Sequence, residues 1–208
     1  MSACGPAATK DTSPSWNGLM IQGMAVAARV HQARGSPESS AARALDFIRS
    51  ELWNDGRLLA TFKDGRAHLR AYLDDYVFLA DAIVELLQYR WRSADVQLAT
   101  ELLDGVLEHF ADAERGAFFF TADDHEALMH RSKTFNDESL PNGNAVAARV
   151  FGRLGHLLGD SRYLAGVLSA RCDPVGPRWS DTTTRSRSTA QRTRRASAAS
   201  GNRHHSRR

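Results

Sequence analysis

The chain has 208 residues, with 42% hydrophobic and 25% charged side chains, which suits one soluble domain with a real hydrophobic core. Its net charge of +3 and pI near 9.1 are misleading. From residue 171 onward ten arginines face only Asp173 and Asp181, a net +8 that leaves −5 for the rest, so the basic pI does not mark a nucleic-acid-binding fold. Cys4 and Cys172 form no C-x-x-C, which excludes a zinc ribbon, a thioredoxin-type pair and a disulfide framework.

Residues 1–15 are small and polar and contain Gly5, Pro6 and Pro14, so they read as a disordered leader without the apolar core of a signal peptide. No run reaches the ~18 apolar residues of a membrane span. The expectation is a cytoplasmic protein with no membrane attachment. From Trp16 a helical pattern runs to about Ala33, with Met20, Ile21, Met24, Val26, Ala27 and Val30 covering most of its surface. Gly35-Ser36-Pro37 ends it and opens a second helix, with Ser36 as N-cap and Pro37 in the first turn. Ala41, Leu45, Ile48 and Leu52 make one apolar stripe on this amphipathic helix. Leu58-Leu59-Ala60-Thr61-Phe62 reads as an extended piece.

A third helix begins near Leu73. After Tyr76 its polar positions are only Asp81, Glu85, Gln88 and Arg90, so it is expected to be buried on nearly every side. A fourth helix, from about Ala94 to Phe110, is amphipathic. Residues 117–121 and 127–131 read as a β-hairpin turning through Ala122-Asp123-Asp124-His125. A fifth helix from Asn144 is apolar except for Arg149, Arg153 and His156, and a short sixth runs from Ser161 to Ala170.

This is an internal repeat of a nearly all-apolar helix, a tight turn and an amphipathic helix. Helices one, three and five should form an inner layer, and two, four and six an outer one. Inner-to-outer turns are short and outer-to-inner connections long, so the inner helices are parallel and their N-termini share the face where binding groups collect. The fold expected for residues 16–170 is all-α: three helical hairpins with a small β-hairpin insertion. Residues 171–208 form a tail too poor in large apolar side chains to fold. Its Arg/Ser run without interleaved aromatics is a weak signal for nucleic acid.

At the inner-helix N-termini lie Trp16-Asn17, Asp74-Asp75-Tyr76 and Asn142-Gly143-Asn144. One polar cap per helix would suffice, and the surplus of carboxylates and amides points to a polyhydroxylated ligand. Asp74, Asp75 and Asp137 are the candidate acid/base groups, since glycoside hydrolysis needs paired carboxyls. Trp16, Asn17, His68, Tyr76, Arg131, Lys133, Glu138, Asn142 and Asn144 are the candidate substrate-binding residues. No histidine spacing suggests a metal, no glycine-rich phosphate loop is present, and no cofactor is expected.

Four segments, Trp16-Asn17-Gly18-Leu19-Met20, Leu73-Asp74-Asp75-Tyr76-Val77-Phe78-Leu79, Gly116-Ala117-Phe118-Phe119-Phe120-Thr121 and Asp137-Glu138-Ser139-Leu140-Pro141-Asn142-Gly143-Asn144, resemble the thioredoxin-domain-containing proteins of the spermatogenesis-associated type. The resemblance implies a portion of an (α/α)6 toroid of six hairpins, similar to N-acylglucosamine 2-epimerases and six-hairpin glycosidases, with carbohydrate-related chemistry. It carries over no established catalytic residue. Against that pattern the thioredoxin-like part is missing and the array stops after three hairpins. The expectation is therefore an epimerase-like or glycosidase-like toroid, an enzyme or the remnant of one, truncated as from a frameshift, whose exposed inner-helix flanks favour a homodimer. The alternative is a non-catalytic helical-repeat module that binds a protein or glycan.

Overall fold

The computed structural model describes residues 11–31, 37–125, 131–137 and 139–171. The leader up to residue 10, the tail beyond 171, Ser36, Glu138 and most of the second arm of the predicted 117–131 hairpin lie outside the described residues.

Six helices carry the fold: α1 (Pro14–His31), α2 (Pro37–Glu51), α3 (Leu73–Tyr89), α4 (Ser93–His109), α5 (Gly143–Leu158) and α6 (Ser161–Arg171). α3 packs against α1 on one side and α5 on the other, while α2 lies on α1, α4 on α3 and α6 on α5. This is the two-layer array of hairpins that the repeat predicts. α3 is its centre, with thirteen buried residues including Tyr76, Phe78, Ile83 and Leu86. α1 reaches α3 closely because Gly18 has no side chain: a Cβ there would fall 2.9 Å from the carbonyl carbon of Phe78.

The polar positions of the inner helices meet one another. Asp81 is buried in α3, and its carboxylate accepts from Gln22 of α1 and Arg149 of α5. Arg153 adds a bond to Asp81 at 3.2 Å and pairs with Glu85 at 2.8 Å, while Arg29 of α1 reaches Glu85 at 3.2 Å. Burial pushes the Asp81 carboxyl up, against the pull of Arg149 and Arg153. The network also fixes direction. Residues 15, 22 and 29 of α1 meet 75, 81 and 85 of α3 in ascending order, so the two helices run parallel.

Two expectations are corrected. The hairpin lies earlier than predicted. β2 (Trp53–Asn54), β3 (Arg57–Lys63) and β4 (Arg66–Arg70) are antiparallel neighbours around β3, and β1 (Asp11–Thr12) pairs with β3 as well. The cause is two Asp-Gly turns with positive φ at both central residues: Asp55 (48°) and Gly56 (74°), then Asp64 (49°) and Gly65 (76°). This is the geometry that matches the right-handed twist of paired strands. At 117–125 there is no strand among the described residues, only a bridge between Ala111 and Phe118. In addition, α1 is not buried all round: Trp16, Met20 and Val30 are exposed.

Candidate functional site

The N-termini of α1, α3 and α5 come together at one end of the array. Ser15 of α1 donates its backbone N–H to Asp75 of α3 at 3.0 Å. Asp74 of α3 faces Gly143, the first residue of α5, where an added Cβ would fall 2.1 Å from Asp74 Oδ1. A recess of about 220 Å³ opens beside this contact. It is lined by Asp74, Phe120, Thr134, Asn136 and residues 139–143.

Asp74 and Asp75 are adjacent in sequence and opposite in circumstance. Asp75 is buried, and its oxygens are occupied. Oδ1 accepts from Ser15 N–H at 3.0 Å and Ser13 Oγ at 3.4 Å, and Oδ2 accepts from Tyr72 N–H at 3.0 Å. It closes the first turn of α3 and pins α1 to it. Asp74 is half-buried, and its Oδ1 is enclosed with no hydrogen-bond partner. Burial first, and the neighbouring Asp75 charge second, raise its carboxyl to about 6.

The other candidates separate in the same way. Asn142 lines the recess, and as N-cap of α5 its Oδ1 accepts from Ala145 N–H at 3.1 Å. Asp137 is exposed and outside the recess lining, with Oδ1 accepting from Asn142 N–H at 2.8 Å. Asn144 is buried away from the recess. It accepts from Phe118 N–H at 2.7 Å and donates to the carbonyls of Phe118 and Thr134 at 3.1 and 3.3 Å. Tyr76 is buried, and its hydroxyl accepts from Leu58 N–H at 2.9 Å.

Arg131 donates to the carbonyls of Thr121 and His109, and Lys133 to Asp112 and the Gly116 carbonyl at 2.7 and 2.6 Å. Both cations also lie over the Phe119 ring, so they fasten the loop after α4. Asn17 donates to the Ser13 carbonyl at 2.8 Å. Trp16 is exposed, and His68 is exposed on β4. Glu138 lies outside the described residues. Phe120, Thr134, Asn136, Ser139, Leu140, Pro141 and Gly143 line the recess without having been singled out as binding residues.

His109, Asp123 and Asp124 are near enough to share a cation. Their charges already have protein partners: Asp123 bonds His109 Nδ1 at 2.8 Å, and Asp124 pairs with Arg57 at 2.7 Å.

No family model matches the chain. Human spermatogenesis-associated protein 20 is 28% identical over 157 residues, which is 68% of this chain and 20% of that protein. The chain is related to spermatogenesis-associated protein 20. It spans about a fifth of that relative's length. Among solved structures, cellobiose 2-epimerase from Bacillus thermoamylovorans superposes with a TM-score of 0.63 at 10% identity, covering 77% of this chain and 43% of the epimerase. An inactive α-1,6-mannanase variant from a Salegentibacter species, with two adjacent aspartates changed to asparagine and α-1,6-mannotriose bound, gives 0.62 at 13%, covering 79% of this chain and 47% of that one. These likenesses establish the fold as part of a six-hairpin α/α toroid. No described helix is long and apolar enough to cross a membrane.

Proposed function

We propose that the recess beside Asp74 binds a carbohydrate and that the Asp74 carboxyl exchanges a proton with it. The observation that carries this reading is the enclosed, unpartnered Asp74 Oδ1 in the wall of a recess. A buried polar atom without a partner costs stability, and with no protein donor to hold it the Asp74 carboxyl is left to keep or exchange its proton. A carboxyl raised to about 6 is divided between its acid and base forms near neutral pH, the condition for general acid–base work.

The remaining lining suits a sugar. The Phe120 ring, itself stacked on Tyr72 at 4.9 Å, offers an apolar face. Thr134, Asn136 and Ser139 offer hydrogen bonds. A volume near 220 Å³ is below the ~300–1,000 Å³ of sites for drug-sized ligands, which favours one sugar ring over a long chain.

Among the described residues the recess presents one carboxyl, whereas glycoside hydrolysis in its usual form needs two. Proton transfer on a single sugar, as in an isomerase or epimerase, is therefore the reading preferred over hydrolysis. The neighbours support carbohydrate chemistry in general: one is an epimerase, and the mannanase variant lacking two adjacent aspartates is inactive. Here the adjacent pair divides the work, with Asp75 holding the helices and Asp74 left free.

The test is a saccharide panel of glucose, mannose, cellobiose and α-1,6-mannotriose followed by NMR, with proton exchange at sugar carbons monitored in heavy water. The expected result is binding of a monosaccharide that Asp74→Ala abolishes. Equal binding by wild type and Asp74→Ala would overturn the assignment. Binding without proton exchange would favour the non-catalytic glycan module.

A further inference from the structure

The walls of the recess come largely from one stretch of chain. Asn136, Ser139, Leu140, Pro141, Asn142 and Gly143 all line it. Gly143 is also the residue that lies against Asp74 Oδ1, where an added Cβ would fall 2.1 Å away. Whatever fixes this stretch therefore fixes the enclosure of the carboxyl. From the start of α5, Asn144 Nδ2 donates to the Thr134 carbonyl at 3.3 Å and Asn142 Nδ2 to the Asn136 carbonyl at 3.5 Å. A shorter bond closes the stretch from the other side: Asp137 Oδ1 accepts from Asn142 N–H at 2.8 Å.

We infer that Asp137 is a positioning residue: by holding the Asn142 N–H it keeps Gly143 against Asp74 and the recess in shape, without itself meeting the ligand. Three observations assign the role. Asp137 is exposed and outside the recess lining, so its carboxylate is not a second acid/base group there. Its bond is charge-assisted, the stronger kind of hydrogen bond, and it lies just before the N-terminus of α5, where a helix favours negative charge. The amide it holds belongs to Asn142, one peptide bond from the glycine that meets Asp74. The path from this clasp to the reactive carboxyl is thus one hydrogen bond, one peptide link and one contact. The inference rests on the reading of Asp74 as the proton-exchanging group, but the clasp can be read without a ligand.

The experiment compares the whole chain with its Asp137→Ala and Asp137→Asn variants, the second because an asparagine Oδ1 still accepts from the Asn142 N–H. It follows the Asp74 carboxyl by NMR between about pH 3 and 8, the hydrogen exchange of the Asn142 amide, and binding of the saccharide panel. In wild type the Asp74 carboxyl is expected to titrate at about 6. In Asp137→Ala, Gly143 is released, water reaches Oδ1, and the carboxyl falls towards its ordinary 3.8. The Asn142 amide should exchange faster and saccharide binding weaken about tenfold, the worth of one hydrogen bond, with circular dichroism unchanged. Asp137→Asn should restore all three. An Asp137→Ala protein that matches wild type in exchange and titration would overturn the clasp. So would an Asp137→Asn protein as impaired as Asp137→Ala, since an amide cannot replace a carboxylate that acts on the ligand. Faster exchange in Asp137→Ala, with no saccharide bound by wild type, would sink the carbohydrate reading alone. Saccharide binding that is equal in all three proteins would sink the positioning role alone.

Discussion

The carboxylate of Asp74 rests against the α-carbon of Gly143, where the hydrogen of glycine leaves the space that a methyl group would take. An added Cβ would lie 2.1 Å from Oδ1, nearer than any non-bonded contact. Gly143→Ala must therefore move Asp74 or shift the start of α5. The expected cost is about 1–3 kcal/mol, as for other overpacked sites. Denaturant unfolding measures it, and the double variant Asp74→Ala, Gly143→Ala provides the control. Removing the carboxylate should restore most of the loss, because residues in contact are coupled. A loss that persists in the double variant would mean that the contact is not its cause.

Asp74 also makes stability depend on pH with a definite sign. Its folded carboxyl is raised from 3.8 to about 6, so between those values the unfolded chain loses this proton more readily than the folded one. The native state is then penalised progressively as pH rises from about 4, and the penalty is complete above about 6. Asp74→Asn should be more stable than wild type at pH 7, with the gain shrinking on acidification and gone below about pH 4. Urea midpoints of both proteins from pH 4 to 8 check this. A constant gap across the range would refute the raised carboxyl.

The neighbouring substitution should behave in the opposite way. Both Asp75 oxygens accept from backbone N–H groups, those of Ser15 and Tyr72. An asparagine amide would turn a donor toward one of those donors. Asp75→Asn is expected to lose about 2–3 kcal/mol, the worth of a cap plus an unsatisfied buried N–H. Unfolding at neutral pH reads the difference, and an Asp75→Asn protein as stable as wild type would return Asp75 to the list of reactive groups.

These contrasts define what the sequence made legible. Helical periodicity found all six helices, because apolar spacing on a helix is a long-range average that single residues do not upset. It also found the shared N-terminal face, since short and long connections alternate. The polar positions Asp81, Glu85, Arg149 and Arg153 were visible as stripes, though not as one network. The strands were read less well. Asp55-Gly56 and Asp64-Gly65 carried the hairpin signal in plain view, while the β-rich run from Gly116 is held instead by Arg131, Lys133 and Asn144. Within the site, adjacent identical residues could not be told apart. Asp75 differs from Asp74 because the Tyr72 N–H closes the helix turn on it and because Ser13 and Ser15, some sixty positions earlier, reach it. Tyr76 reads as a site aromatic for the same reason: its partner, Leu58, is remote in sequence.

That partner makes the last prediction. Leu58 begins the core-facing run of β3, and its N–H donates to the Tyr76 hydroxyl at 2.9 Å, with both residues buried. The bond joins the sheet to the central inner helix. Tyr76→Phe keeps the ring and its contact with Phe110 at 5.3 Å, but leaves a buried donor with nothing to meet. The loss should be about 1–3 kcal/mol, and Leu58 should become the amide whose hydrogen exchange accelerates most. A recess that still binds its ligand in the folded variant would agree with a structural Tyr76. Loss of binding at unchanged stability would place its hydroxyl in the site after all.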